Sequence, residues 1–245
     1  MESVEKEDMI KGDAAKSEVA EVWPYVIPLA GFLAMTTLEG YLPAGEGGAP
    51  SAFWYPLGYT LKVVVVSGLL WGCRGIFEDL KPWPSWLGGV VAVGVGLGVT
   101  LVWVGLDGVY PDLSKLGLGG KRTAFDPARL GAGARVAFLG VRLFGLVALV
   151  PLIEELFYRS FLMRWVIDQD FRRVAIGRVT PAAIAVTTAV FGLSHPEWLP
   201  AVLTGLAWGW LVWWTKSVSA CVLSHAAANL ALGVYVLSTG EWKYW

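Results

Sequence analysis

The chain is poor in the residues that carry most soluble chemistry. Its 245 residues include two histidines and two cysteines, and only 16% are charged, against about 25% in soluble domains. Cys73 and Cys221 stand far apart with no ligand-type spacing, so neither a disulfide framework nor a zinc ribbon is indicated. The net charge of -1 and the lack of a dense basic cluster give nucleic acid no footing as a partner. No cleavable signal segment opens the sequence.

What remains is apolar. Hydrophobic residues make up 56% and the mean hydropathy is +0.57, which predicts an integral membrane domain over residues 22–245, behind a mixed-charge polar tail over residues 1–21. Seven runs approach the roughly 20 helical residues that cross a hydrocarbon layer. They are Val22–Leu38, Phe53–Cys73, Trp83–Leu106, Val136–Ile153, Val179–His195, Leu199–Thr215 and Ser217–Leu237. The Gly-rich connection from Asp107 to Arg135, with Lys115, Lys121, Arg122 and Arg129, has room for an interfacial helix. The predicted class is therefore all-α, a polytopic transmembrane bundle of seven to eight helices. Lysine and arginine placement favours a cytoplasmic N-terminus. Gly68 with Gly72, Gly94 with Gly98, and Gly205 with Gly209 form G-x-x-x-G faces suited to close helix approach. Tryptophans near segment ends, such as Trp83, Trp86, Trp213, Trp214, Trp242 and Trp245, suit interfacial belts.

Polar residues inside the apolar runs carry the chemistry, because a charge at membrane depth costs about 2.5–3.5 kcal/mol or more without a partner or a water-filled cavity. Glu154 and Glu155 close the fourth run. On a helix Glu155 and Arg159 share a face and can pair, whereas Glu154 points about 100° away and is left for chemistry. Both histidines fall in the last three runs. His195 precedes Pro196, which predicts a helix end there. Cys221, His225, Asn229 and Gly233 recur every four residues as a small polar stripe that must face protein or water. A glutamate, two histidines and an asparagine on three apolar segments supply a base, a water-orienting group and oxyanion donors, the set that amide hydrolysis requires. The cysteines read as small packing residues. Ser194 and Ser224, each one position before a histidine, point away from it on a helix, which disfavours a Ser-His pair.

These residues also carry a resemblance. Glu154-Glu155-Leu-Phe-Tyr-Arg159 resembles the E-E-x-x-x-R motif of the CAAX prenyl endopeptidase and bacteriocin-processing family, known as CPBP or Abi. Phe191-Gly-Leu-Ser-His195 resembles its F-x-x-x-H, and His225-Ala-Ala-Ala-Asn229 its H-x-x-x-N, in the family's order. The resemblance implies that Glu154 and His195 activate the attacking water, that His225 and Asn229 stabilise the oxyanion, and that Glu155 and Arg159 shape the site. It implies a multi-pass protein of a bacterial or archaeal cell membrane acting on a prenylated or membrane-anchored peptide. No tightly bound metal is expected, since the helix-borne H-E-x-x-H arrangement is absent, although Zn²⁺ on two histidines and a glutamate stays open. The rival reading is a non-enzymatic transporter or scaffold that uses the same residues as a polar network. Against it, no motif recurs in the N-terminal half as an internal repeat would.

Overall fold

A computed structural model of the chain describes the backbone of residues 2–111 and 124–244, and within these ranges the side chains from Glu21 onward apart from Glu46. Helix α1 spans Glu2–Glu39, α2 Trp54–Gly72 and α3 Trp86–Gly105. One long helix, α4, runs from Ala132 to Ile167. Helix α5 spans Pro181–Leu193, α6 Trp198–Thr215 and α7 Val218–Thr239. Among the described residues there is no β-strand, only an isolated bridge between Ala44 and Pro50.

Each of the seven apolar runs is a helix, and the polar tail continues the backbone of the first one without a break. Lys115, Lys121 and Arg122, on which an interfacial helix was expected, lie outside the described residues; Pro127–Arg129 beside them forms a 3-10 turn. Among the described residues four helices are long and apolar enough to cross a membrane, and five if α2 and the bent Arg74–Leu80 turn are one span. The helical bundle is as expected, and length and apolarity do not by themselves confirm seven to eight crossings. Helix α5, with 13 residues, is short of the roughly 20 that span a hydrocarbon layer, and α6, with 18, is long enough but less apolar, its sequence holding five tryptophans.

Helix ends follow local chemistry. Thr180 caps α5 by accepting from the Ala183 N–H, with Pro181 in the first turn, where its missing N–H costs nothing. Ser217 caps α7 in the same way through Ala220. Between α6 and α7, Lys216 turns the chain in a left-handed conformation at φ 53°, and its ammonium donates to the Gly177 carbonyl at 2.9 Å. This tight connection places His225 two turns into α7.

Helix α3 packs along α7, α5 along α6, and α1 along α2. Only one of the three expected glycine faces works at a helix contact: Gly205 meets Thr188 and Gly209 meets Ile184, while Gly68, Gly72, Gly94 and Gly98 look onto open space. The close approach on α3 is made by Gly96 instead, where a Cβ would lie 2.2 Å from the Ser224 carbonyl oxygen and 3.1 Å from the Ala228 nitrogen. Because the obstacle is backbone, Gly96→Ala must push α3 from α7. We expect a loss of about 1–3 kcal/mol, the usual cost of overpacking, read as a lower unfolding midpoint in detergent. Turnover should fall with it, since His225 follows Ser224. An unchanged midpoint would show that the contact is slack.

At one end of the bundle Asp79 joins three elements, accepting from Tyr25 of α1 at 2.6 Å and from Ser160 and Arg164 of α4 at 2.5 Å. The Tyr25 ring packs on Phe161 and Phe171 beside it. Trp83, Trp86, Trp213 and Trp214 are exposed on the outer surface, as belt residues should be.

Candidate active site

The two glutamates lie in the interior of α4, not at its end, because helix continues past Arg159 to Ile167. Two π turns, Gly145–Leu149 and Leu156–Leu162, flank the Val150–Glu155 stretch. The first has a cause in the sequence. Pro151 has no N–H to give the preceding turn, and the π register sends the Val150 N–H to the Gly145 carbonyl. The next carbonyl in that register, Leu146, would need the hydrogen that Pro151 lacks. Asn229 of α7 supplies it, its Nδ2 donating to the Leu146 oxygen at 2.7 Å. A freed backbone group at membrane depth is thereby satisfied, and α7 is fixed against α4 two turns before Glu154.

The carboxylates differ in their surroundings as the helical spacing predicts. Glu155 is fully buried and occupied on two sides. The Arg159 Nη1 lies 3.2 Å from its Oε1 and 3.1 Å from its Oε2, and the His225 Nδ1 lies 2.9 Å from Oε1. The pairing with Arg159 was expected; the pairing with His225 was not. Since the carboxylate accepts, His225 carries a hydrogen on Nδ1. Trp208 stacks on the His225 ring at 4.3 Å between centroids and donates to Ser224 at 3.0 Å. The Arg159 guanidinium lies over the Phe191 and Trp208 rings, which shield it from lipid and give it a π face. Ser224 serves Trp208 and not His225, in keeping with the sequence reading.

Glu154 faces the other way. Together with Tyr158, Ser194, His195, His225 and Asn229 it lines a cavity of about 660 Å³, and its buried Oε2 has no hydrogen-bond partner. Helix α5 ends at Leu193 with Ser194 as its cap, as expected ahead of Pro196. That ending overturns the helical argument against a Ser-His contact: past the last turn the 100° rule lapses, and the Ser194 Oγ sits 3.1 Å from the His195 Nδ1. The His195 Nδ1 is also 2.7 Å from the Phe191 carbonyl. A carbonyl only accepts, so Nδ1 carries a hydrogen, and in the neutral imidazole Nε2 then holds the lone pair.

The structure thus brings Glu154, His195, His225 and Asn229 to one cavity, with Glu155 and Arg159 behind it. The sequence reading missed the cavity's far wall, where Lys62 is buried and donates to Glu39 at 2.6 Å and to Thr36 at 3.3 Å. A lysine inside the run Leu61–Val66 was the available signal. Trp208 and Tyr158 gave none, since aromatics are common in apolar helices. Cys221 is buried and Cys73 half-buried, both as free thiols. Among the described residues, no three of His, Cys, Asp and Glu converge as ligands of one metal ion would.

Residues 137–231 match the family model described as type II CAAX prenyl endopeptidase Rce1-like. Over this stretch the chain is similar to a protease family. The matched segment begins inside α4 and contains all six candidate residues, whereas the far cavity wall on α1 and α2 lies outside it. No curated protein and no solved structure matches the chain. The apolar helices indicate an integral membrane protein, and the match supports a CAAX-type endopeptidase over a transporter.

Proposed function

We propose that the protein hydrolyses a peptide bond of a lipidated or membrane-anchored peptide with water activated by Glu154 and His195. The observation that supports this is the carboxylate of Glu154, which lines the cavity with no ion pair, beside a Glu155 that is paired with both Arg159 and His225. A buried carboxylate without a hydrogen-bond partner is costly, and water or substrate in the cavity gives it one.

In this reading Glu154 accepts one proton from water as the water oxygen attacks the scissile carbonyl. The His195 Nε2 lone pair accepts the second hydrogen of that water and sets its approach. The oxyanion takes hydrogen bonds from the His225 Nε2, protonated while Glu155 holds Nδ1, and from the second amide hydrogen of Asn229. The C–N bond then breaks, and the proton held by Glu154 passes to the departing amine. No metal enters these steps. Zinc on Glu154, His195 and His225 is the alternative, and a chelator separates the two.

The test is to incubate the purified protein with lipidated and transmembrane peptides and to read new termini by mass spectrometry. We expect a defined new terminus that persists with chelator present. His225→Ala and Asn229→Ala should each cut turnover by about 10²- to 10³-fold, the usual loss with one oxyanion donor. Cleavage that ignores both substitutions would refute this site.

A further inference from the structure

Tyr158 has no role in the chemistry above, yet its hydroxyl is placed to organise it. The residue lies four positions after Glu154 on α4, is 3% exposed, and lines the same cavity. Its ring meets Phe191 edge-on at 5.1 Å. Its hydroxyl oxygen is 3.2 Å from the Ser194 Oγ.

The direction of that bond follows from counting hydrogens. The Phe191 carbonyl has two close neighbours, the Ser194 Oγ at 2.8 Å and the His195 Nδ1 at 2.7 Å. Neither approach is attractive without a hydrogen between the atoms, and a carbonyl provides none. The one hydroxyl hydrogen of Ser194 is therefore spent on Phe191. The serine offers Tyr158 only lone pairs, and the phenol must be the donor. The chain of hydrogens runs from Tyr158 to Ser194 to the Phe191 carbonyl, where it meets the Nδ1 hydrogen of His195.

We propose that Tyr158 is a positioning residue for His195. His195 stands beyond the last turn of α5 and before Pro196, where its backbone N–H reaches only the Gly192 carbonyl three residues back, at 3.3 Å. The phenol ties this end of α5 to α4, the helix that carries Glu154. By occupying the serine lone pairs it keeps Ser194 donating to Phe191, so that the serine neither hands its hydrogen to the imidazole nor turns away. The Nδ1 hydrogen stays on the carbonyl and the Nε2 lone pair stays with the water. The proposal rests on the reading in which His195 orients that water.

Tyr158→Phe keeps the ring and removes the donor. With two histidines in the chain, nitrogen-15 histidine labelling resolves both rings without any substrate, and the His195→Ala protein assigns them. In the wild type we expect His195 as one tautomer, protonated on Nδ1. In Tyr158→Phe its signals should shift or split between tautomers while those of His225 stay in place. In turnover, Tyr158→Phe and Ser194→Ala should each lower kcat about 10-fold at unchanged KM, less than the roughly 10²-fold that a 1 Å misplacement can cost. The double variant should lose no more than either single one, since both cut the same chain. Unmoved His195 signals in Tyr158→Phe, or losses that multiply, would overturn the proposal. If Glu154→Gln cleaves normally while the His195 signals respond as described, the failure belongs to the water-activating reading and the tether stands.

Discussion

Glu154→Gln should yield a protein that folds at least as well as the wild type and cleaves no peptide at a measurable rate. The two halves of this result have one cause. Glu154 is 7% exposed and its Oε2 has no partner, so its charge is held at membrane depth without the ion pair that relieves Glu155. Replacing it by a neutral amide of the same shape removes that cost and breaks no salt bridge, and the unfolding midpoint in detergent should hold or rise. Catalysis loses its proton acceptor. A positioned base is worth typically 10²- to 10⁴-fold, and the loss should appear in kcat and kcat/KM alike, the pattern of an interaction made in the transition state. Stability that is spent at a site and recovered when the site is disabled is the usual mark of function. Cleavage by Glu154→Gln within about 10-fold of the wild-type rate, well inside the range for a lost base, would remove Glu154 from the centre of the mechanism.

This contrast between neighbouring carboxylates was legible in the sequence, because a helical spacing of four assigns Arg159 to Glu155 and leaves Glu154 over. The helix end at His195 was legible from Pro196, and the buried stripe on α7 from its period. Other features depended on geometry that spacing does not encode. The bond from Asn229 to Leu146 needs the π turn that Pro151 causes, and uniform α geometry hides the freed carbonyl. The Ser194–His195 contact was misread because the 100° rule was applied one residue past the end of its helix. Of the glycine motifs, only the pair on α6 faces a neighbouring helix, since G-x-x-x-G shows where approach is permitted and not where another helix lies. Lys62 and Glu39 stand in different segments, and their meeting at the cavity wall follows from how α1 packs on α2.

Glu155→Gln should have the opposite profile to Glu154→Gln, with a large loss of stability and partial retention of activity. Glu155 is fully buried, and Arg159 beside it is 2% exposed. Removing one partner of such a pair strands the other charge and costs about 3–5 kcal/mol. A glutamine oxygen can still accept from the His225 Nδ1, so the ring keeps its orientation in the molecules that fold. A second variant separates the two functions of this carboxylate. In Glu155→Leu with Arg159→Met both charges leave together, and replacing a whole buried pair by apolar side chains is often neutral or stabilising. Much of the lost stability should therefore return. Activity should not, because nothing then accepts from the His225 Nδ1 or balances a doubly protonated ring, and the imidazole is free to lose its Nε2 hydrogen or to turn on the Trp208 face. The measurements are unfolding midpoints in detergent and turnover on the same peptide. A double variant that regains both stability and turnover would show that Glu155 serves only to neutralise Arg159. A Glu155→Gln protein as stable as the wild type would show that the Arg159 charge is satisfied from elsewhere, and the aromatic faces of Phe191 and Trp208 would then be its principal support.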